Sequence, residues 1–149
     1  MNIDTLVLLA YDELAEIDEE IEGQRFQQAV DRSNNLLSLL SSNKSEAATH
    51  VNYPLIKPEL DRIEGEVRAN RRIAKVRENL AYGAQLIRTN PFVAIIHLGH
   101  DLLTSGLPQL DNQRKRMQNE AYEAWMSEEW ANHRSPAKQP DGAYNTATS

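Results

Sequence analysis

The spacing of the apolar residues constrains this chain more than any other feature. Ile3, Val7, Ala10, Leu14, Ile17 and Ile21 recur at alternating intervals of four and three, which lays a heptad seam along one face of an α-helix. Leu6, Leu8 and Leu9 widen that face beyond what a solvated coiled coil carries, so the helix is expected to pack into a bundle. Asn2 or Asp4 is placed to cap its start and Gly23 to stop it. Phe26, Val30, Ser33, Leu37 and Leu40 then resume the seam. The step from Ile21 to Phe26 is five residues, so the phase slips across Gly23, where a mid-helix glycine is also costly. A helical hairpin is predicted.

Residues 41–57 carry Ser, Asn and the pairs Tyr53-Pro54 and Lys57-Pro58, which predicts a long loop, either a candidate contact surface or a simple crossover along the bundle. Pro58, with Glu59 and Asp61 close behind, suits the first turn of a long helix reaching Arg88. Leu60, Ile63, Val67, Ile73, Val76, Leu80, Ala84 and Ile87 form its expected inner face, interrupted by Asn70. Asn90-Pro91 reads as a cap followed by the first residue of a new helix. Phe92 to about Thr104 is apolar nearly all round and is expected to be the buried central helix. A last helix spans 109–134, with Leu110, Met117, Ala121, Ala124 and Trp125 inward. The fold class is therefore all-α, a helical bundle of about five helices. It comprises an N-terminal hairpin, a long central helix, a short buried helix and a C-terminal helix, in a single helical domain over 1–135. Residues 136–149 form an extended polar C-terminal tail.

Composition closes off several classes of chemistry. The 149 residues contain no cysteine, which excludes disulfides, thiol nucleophiles, Cys-ligated zinc and iron–sulfur clusters. The N-terminal segment is not expected to be a signal peptide, because no basic region precedes its apolar residues and Asp4, Asp12 and Glu13 interrupt them. The most apolar stretch, Phe92 to Leu103, contains His97, His100 and Asp101 and is too short to span ~30 Å of hydrocarbon. A soluble protein without membrane contact is expected. No phosphate-cradling glycine pattern, nucleophile elbow or His-Glu-x-x-His motif occurs. His97, His100 and Asp101 could place two imidazoles and a carboxylate on a metal. Two histidines hydrogen-bonded at a helix interface explain the spacing more simply, since no further ligand follows in register. The chain is read as a non-enzyme with no cofactor and no metal.

Charge is segregated along the sequence. The net charge is −6, of which −8 falls in residues 1–22, so the rest of the chain carries +2. Residues 67–77 hold Arg68, Arg71, Arg72, Lys75 and Arg77 without an acid, and Arg114-Lys115-Arg116 adds a second basic cluster. Arg68, Arg71, Arg72 and Lys75 share most of one helical face. That stripe suits nucleic acid or an acidic protein surface; pairing with the acidic first helix, within the chain or between copies, suits it equally. Asp12, Glu16 and Glu19 are the candidate acidic partners. Trp125 and Trp130 lie five apart on the last helix and cannot both face one core, so one is expected to seal an interface, as tryptophans at binding hot spots do, or simply to cap the end of the bundle.

Two words of the hairpin resemble a known family. Asp4-Thr5-Leu6-Val7-Leu8-Leu9-Ala10-Tyr11-Asp12-Glu13-Leu14, a polar turn, and Gln28-Ala29-Val30-Asp31-Arg32-Ser33-Asn34-Asn35-Leu36-Leu37 are similar to the opening helices of phage head-to-tail adaptor (connector) proteins of short-tailed viruses. Glu78-Asn79-Leu80-Ala81 ahead of Asn90-Pro91 resembles the family's later helical pair. The resemblance implies a ring-forming structural protein of the virion, assembled in the host cytoplasm, that contacts portal and tail proteins and lets DNA pass without gripping it. Residues 109–149 would be the arm reaching a partner. The alternative is a small cytoplasmic helical regulator or nucleic-acid-binding protein that uses the basic stripe.

Overall fold

The computed structural model describes residues 1–100 and 103–134. Among them the chain forms six helices: α1 (Ile3–Glu22), α2 (Phe26–Ser42), α3 (Lys44–Ala47), α4 (Tyr53–Thr89), α5 (Pro91–Leu98) and α6 (Pro108–Arg134). The architecture is all-α, as the periodicity predicts. The expected tail at 136–149 lies outside the described residues, as does Asp101. Within the span read as one helical domain, packing separates two compact units, Met1–Glu78 and Asn79 onward.

The first unit is built on α1, α2 and the first part of α4. Asn2 caps α1 by accepting from the Asp4 N–H at 2.7 Å, and the heptad seam buries Ile3, Leu6, Ala10, Leu14, Ile17 and Ile21. Leu6 takes the place expected for Val7. On α2 the buried positions are Ala29, Val30, Ser33, Leu36 and Leu40, and Ile63, Val67 and Ala74 of α4 complete the same core cluster. Ser33 is tolerated there because its hydroxyl donates to the Ala29 carbonyl at 2.7 Å. Asn70, which interrupts the α4 face, donates to the Asp18 carboxylate of α1 at 2.8 Å.

The hairpin turn holds a small displacement. The Arg25 N–H reaches the Glu20 carbonyl at 2.8 Å and the Gln24 N–H reaches the Ile21 carbonyl at 3.0 Å, the two bonds of a Schellman helix stop. The left-handed residue is Gln24, at φ 61°, whereas Gly23 sits at φ −79°. The glycine stands one residue before the position that favours it. Replacing Gln24 by Gly is expected to stabilise the chain by about 1 kcal/mol, readable as a higher denaturant midpoint at unchanged slope.

The loop expected at 41–57 contracts to short turns. α2 continues to Ser42, α3 follows, and α4 begins five residues before Pro58. Pro54 falls in the first turn, where its missing N–H has no helical partner to lose, and Pro58 leaves only the solvent-exposed Pro54 carbonyl without a donor. His50 shapes the approach: its Nδ1 accepts from the Asn52 N–H at 3.1 Å, and the Asn52 carbonyl accepts the first bonds of α4.

The second unit packs α5 against α6. Asn90 caps α5 by accepting from the Val93 N–H at 3.3 Å, with Pro91 opening the helix. α5 ends at Leu98, earlier than expected, and is not buried all round. Its inner face is Pro91, Ala94 and Leu98; Phe92, Val93 and Ile96 are exposed. Gly83 of α4 receives Leu98 so closely that a Cβ there would lie 2.6 Å from Leu98 Cδ2. On α6 the buried positions are Arg114, Met117 and Ala121.

Candidate interaction surfaces

The helical phase of α1 sorts its eight acids into three strips. Glu13, Glu16 and Glu20 flank the core on the α2 side, where Arg32 lies 3.2 Å from Glu13, 4.0 Å from Glu16 and 3.8 Å from Glu20. Arg25 adds a 2.6 Å bond to Glu20. On the α4 side, Arg62 donates to the Tyr11 hydroxyl at 3.1 Å and stands over its ring, while Asp18 accepts from Asn70. The outer strip, at Asp4, Leu8, Asp12, Ala15, Glu19 and Glu22, faces water. Arg25 and Arg32 were not among the expected partners; their place at the start of α2 and two turns along it, opposite an acidic helix, was the available signal.

The basic stripe of α4 divides as well. Arg68 pairs with Glu64 at 3.1 Å one turn away on its own helix. Arg71 donates to the Asn34 side chain of α2 at 2.8 Å. Arg68, Arg72 and Lys75 form an exposed column at i, i+4 and i+7, beside a neutral α2 surface of Asn34, Asn35 and Ser38. Arg77 points away from this column, since it is roughly half a turn out of phase with Lys75. Such exposed pairs contribute little stability, so this surface does not hold the first unit together.

Arg114 is not part of a second basic surface. It is 3% exposed. Its Nη1 donates to the Leu98 carbonyl at 2.7 Å, its Nε to the Thr104 hydroxyl at 3.1 Å and its Nη2 to Asp111 at 2.9 Å. The Thr104 hydroxyl in turn donates to Asp111 at 2.6 Å. The Thr104 hydroxyl, then Arg114 and Lys115, hold the Asp111 carboxyl well below the usual carboxylate range. The guanidinium thus fastens the turn between α5 and α6, and only Lys115 and Arg116 of the cluster face water. The signal was the register Leu110, Arg114, Met117, Ala121, an inward stripe with one charged member.

His97 and His100 do not share a helix, because α5 ends between them. The His97 Nε2 pairs with the Asn79 carbonyl at 2.9 Å, and its ring meets Tyr82 edge-on at 5.2 Å. Among the described residues no group of three or more His, Cys, Asp or Glu side chains could hold a metal ion. Nor is any described helix long and apolar enough to cross a membrane. Trp125 is half-buried against Phe92 at 5.9 Å, whereas Trp130 is exposed. The chain matches no known protein family, no curated protein and no solved structure.

Proposed function

We propose that this protein is a non-enzymatic assembly protein that closes into a homo-oligomeric ring, in the manner of the head-to-tail adaptors of phage virions that its hairpin resembles. The observation that carries the reading is the segregated charge of the first unit: Asp12, Glu19 and Glu22 line the outer strip of α1, and Arg68, Arg72 and Lys75 line a separate exposed column of α4. Two different, oppositely charged surfaces on one chain favour heterologous contact between copies, which closes into a ring when the rotation per copy permits. Glu16 stands at the edge of the strip, partly engaged by Arg32. Portal and tail proteins are the partners the resemblance supplies, and the acidic α1 strip would repel a DNA backbone passing close to it.

Light scattering on the full chain tests this. Assembly is expected to grow with protein concentration and to weaken as salt shortens the Debye length from ~30 Å at 0.01 M to ~8 Å at 0.15 M. The double variant Asp12→Lys/Glu19→Lys is expected to remain monomeric through this surface, and mixing it with Arg72→Glu/Lys75→Glu restores the contact. A wild-type monomer persisting at low salt and high concentration overturns the ring. The adjoining neutral amides of α2 favour a second reading, in which the basic column contacts nucleic acid; a gel shift that weakens steeply as salt rises and vanishes in Arg72→Glu/Lys75→Glu would support it.

A further inference from the structure

The chain enters α4 through an imidazole. Asn52 stands immediately before the helix, and its N–H donates to His50 Nδ1 at 3.1 Å. At a helix start that N–H is commonly satisfied by a Glu or Gln at the third helical position. Here the third position is Leu55, which has no acceptor in its side chain, and Pro54 before it has no N–H. The His50 carbonyl also accepts from the Tyr53 N–H at 3.0 Å, while the Asn52 carbonyl accepts from Leu55 and Ile56 at 3.0 and 3.1 Å. The first turn of α4 is thus anchored through residues 50 and 52.

An Nδ1 that accepts a hydrogen bond carries no proton, so the bond requires the neutral ring with its hydrogen on Nε2. Protonation makes both ring nitrogens donors and sets one N–H against another. It also places a positive charge beside the positive end of the α4 dipole. Both effects disfavour the charged ring. Glu46 and the Met1 ammonium line the same cavity as His50, but they pair with each other at 2.9 Å, so together they offer the ring little net charge. Lys57 of α4 is engaged by Asp61 at 2.7 Å. His97 differs in kind: its Nε2 faces the Asn79 carbonyl as a donor, a bond that protonation keeps. We propose that His50 is a pH-operated cap on α4, whose neutral ring holds the first turn and whose protonated ring releases it. Tyr53 lines a narrow cleft with Leu6, Leu40, Ala47 and Leu60, so release of that turn loosens one end of the first-unit core. The cap is complete above the ordinary histidine value of about 6.5 and drains away as pH falls below it. The device lies within the first unit and is independent of the ring contact.

Nuclear magnetic resonance on the full chain tests this. At ~pH 8 the imidazole nitrogen shifts of His50 are expected to show the Nε2–H form; a hydrogen on Nδ1 overturns the proposal. Protection factors of the Leu55 and Ile56 amides, corrected for the intrinsic effect of pH on exchange, supply the second measurement. From ~pH 8 to ~pH 5 they are expected to fall about fivefold in wild type, the change that accompanies loss of one helix cap. His50→Asn keeps an acceptor for the N–H two residues on and does not titrate, so its protection factors are expected to stay level over the same range. His50→Ala is expected to show the low value throughout. Wild-type protection that does not change with pH overturns the proposal. An equal fall in His50→Asn also overturns it, because the titrating group would then lie elsewhere.

Discussion

Arg114→Ala is expected to destabilise the second unit by about 3 kcal/mol, the order found when one partner of a buried ion pair is removed. Leu98 and Thr104 are buried to 0% and 1% exposure, so the Leu98 carbonyl and the Thr104 hydroxyl have no water to replace the guanidinium. Arg114→Lys is expected to recover little, because an ammonium lacks the planar fork that reaches Leu98, Thr104 and Asp111 together. Thermal unfolding followed by circular dichroism measures both. The loss is also pH-dependent. Asp111 has a depressed folded pKa, so its stabilising contribution is complete above the unfolded carboxylate value of about 4 and drains away as pH falls through the lower folded value. In Arg114→Ala one of the groups that depress it is gone, so acid unfolding of the second unit should begin at higher pH than in wild type. An acid transition that does not move would mean that Arg114 is not what holds the carboxylate ionised.

Ile17→Ala is expected to cost the first unit about 3–4 kcal/mol, within the range for deleting a buried branched side chain. Ile17 is fully buried at the middle of the α1 seam, in one cluster with Leu14, Ile21, Val30, Leu36, Ile63 and Val67. Its neighbours are held by three helices, which limits collapse into the vacated space. Ile17→Val, which removes a single methylene, should cost only about 1 kcal/mol. Substitution of Ala15, two residues away on the water-facing strip, should be nearly neutral. Urea unfolding of the three variants separates burial from helix propensity. Equal costs at positions 15 and 17 would contradict the assignment of the seam.

The limits of α1, its Gly23 stop and the Asn90-Pro91 start were legible because each rests on local chemistry: a short period, a cap, a proline with no N–H to lose. Leu6 against Val7 was not, since adjacent apolar residues share the edge of one face and only the position of α2 and α4 decides between them. α5 was overread for a related reason. A run of apolar letters such as Phe92 to Leu98 does not say which side has a neighbour, and here Phe92, Val93 and Ile96 have none in the core. The prolines at 54 and 58 signalled a loop, yet the first turns of a helix accommodate them. Arg114 was misplaced on the surface because basic letters in a row suggest solvent. Its inward register with Met117 and Ala121 was the better guide, and the acceptors that satisfy it come from Leu98 and Thr104, beyond the reach of local pattern. The split of the α1 acids between Arg32, Asn70 and water likewise depends on tertiary neighbours.

The long helix α4 has one further consequence. Ala74 and Val76 are both buried, although residues two apart lie about 200° around a helix from one another. The apolar stripe that runs through Ile63, Val67 and Ala74 thus gives way to a different one through Val76 and Leu80. These turns carry buried side chains in successive positions, whereas Tyr53 and Thr89 lie in the end turns. Opening of α4 therefore starts from its ends, and its slowest-exchanging amide hydrogens belong to the span where the stripes change over, close to residue 75. The exposed bases Arg72 and Lys75 consequently project from the inner turns of α4, far from its fraying ends, a firm mount for a charged contact.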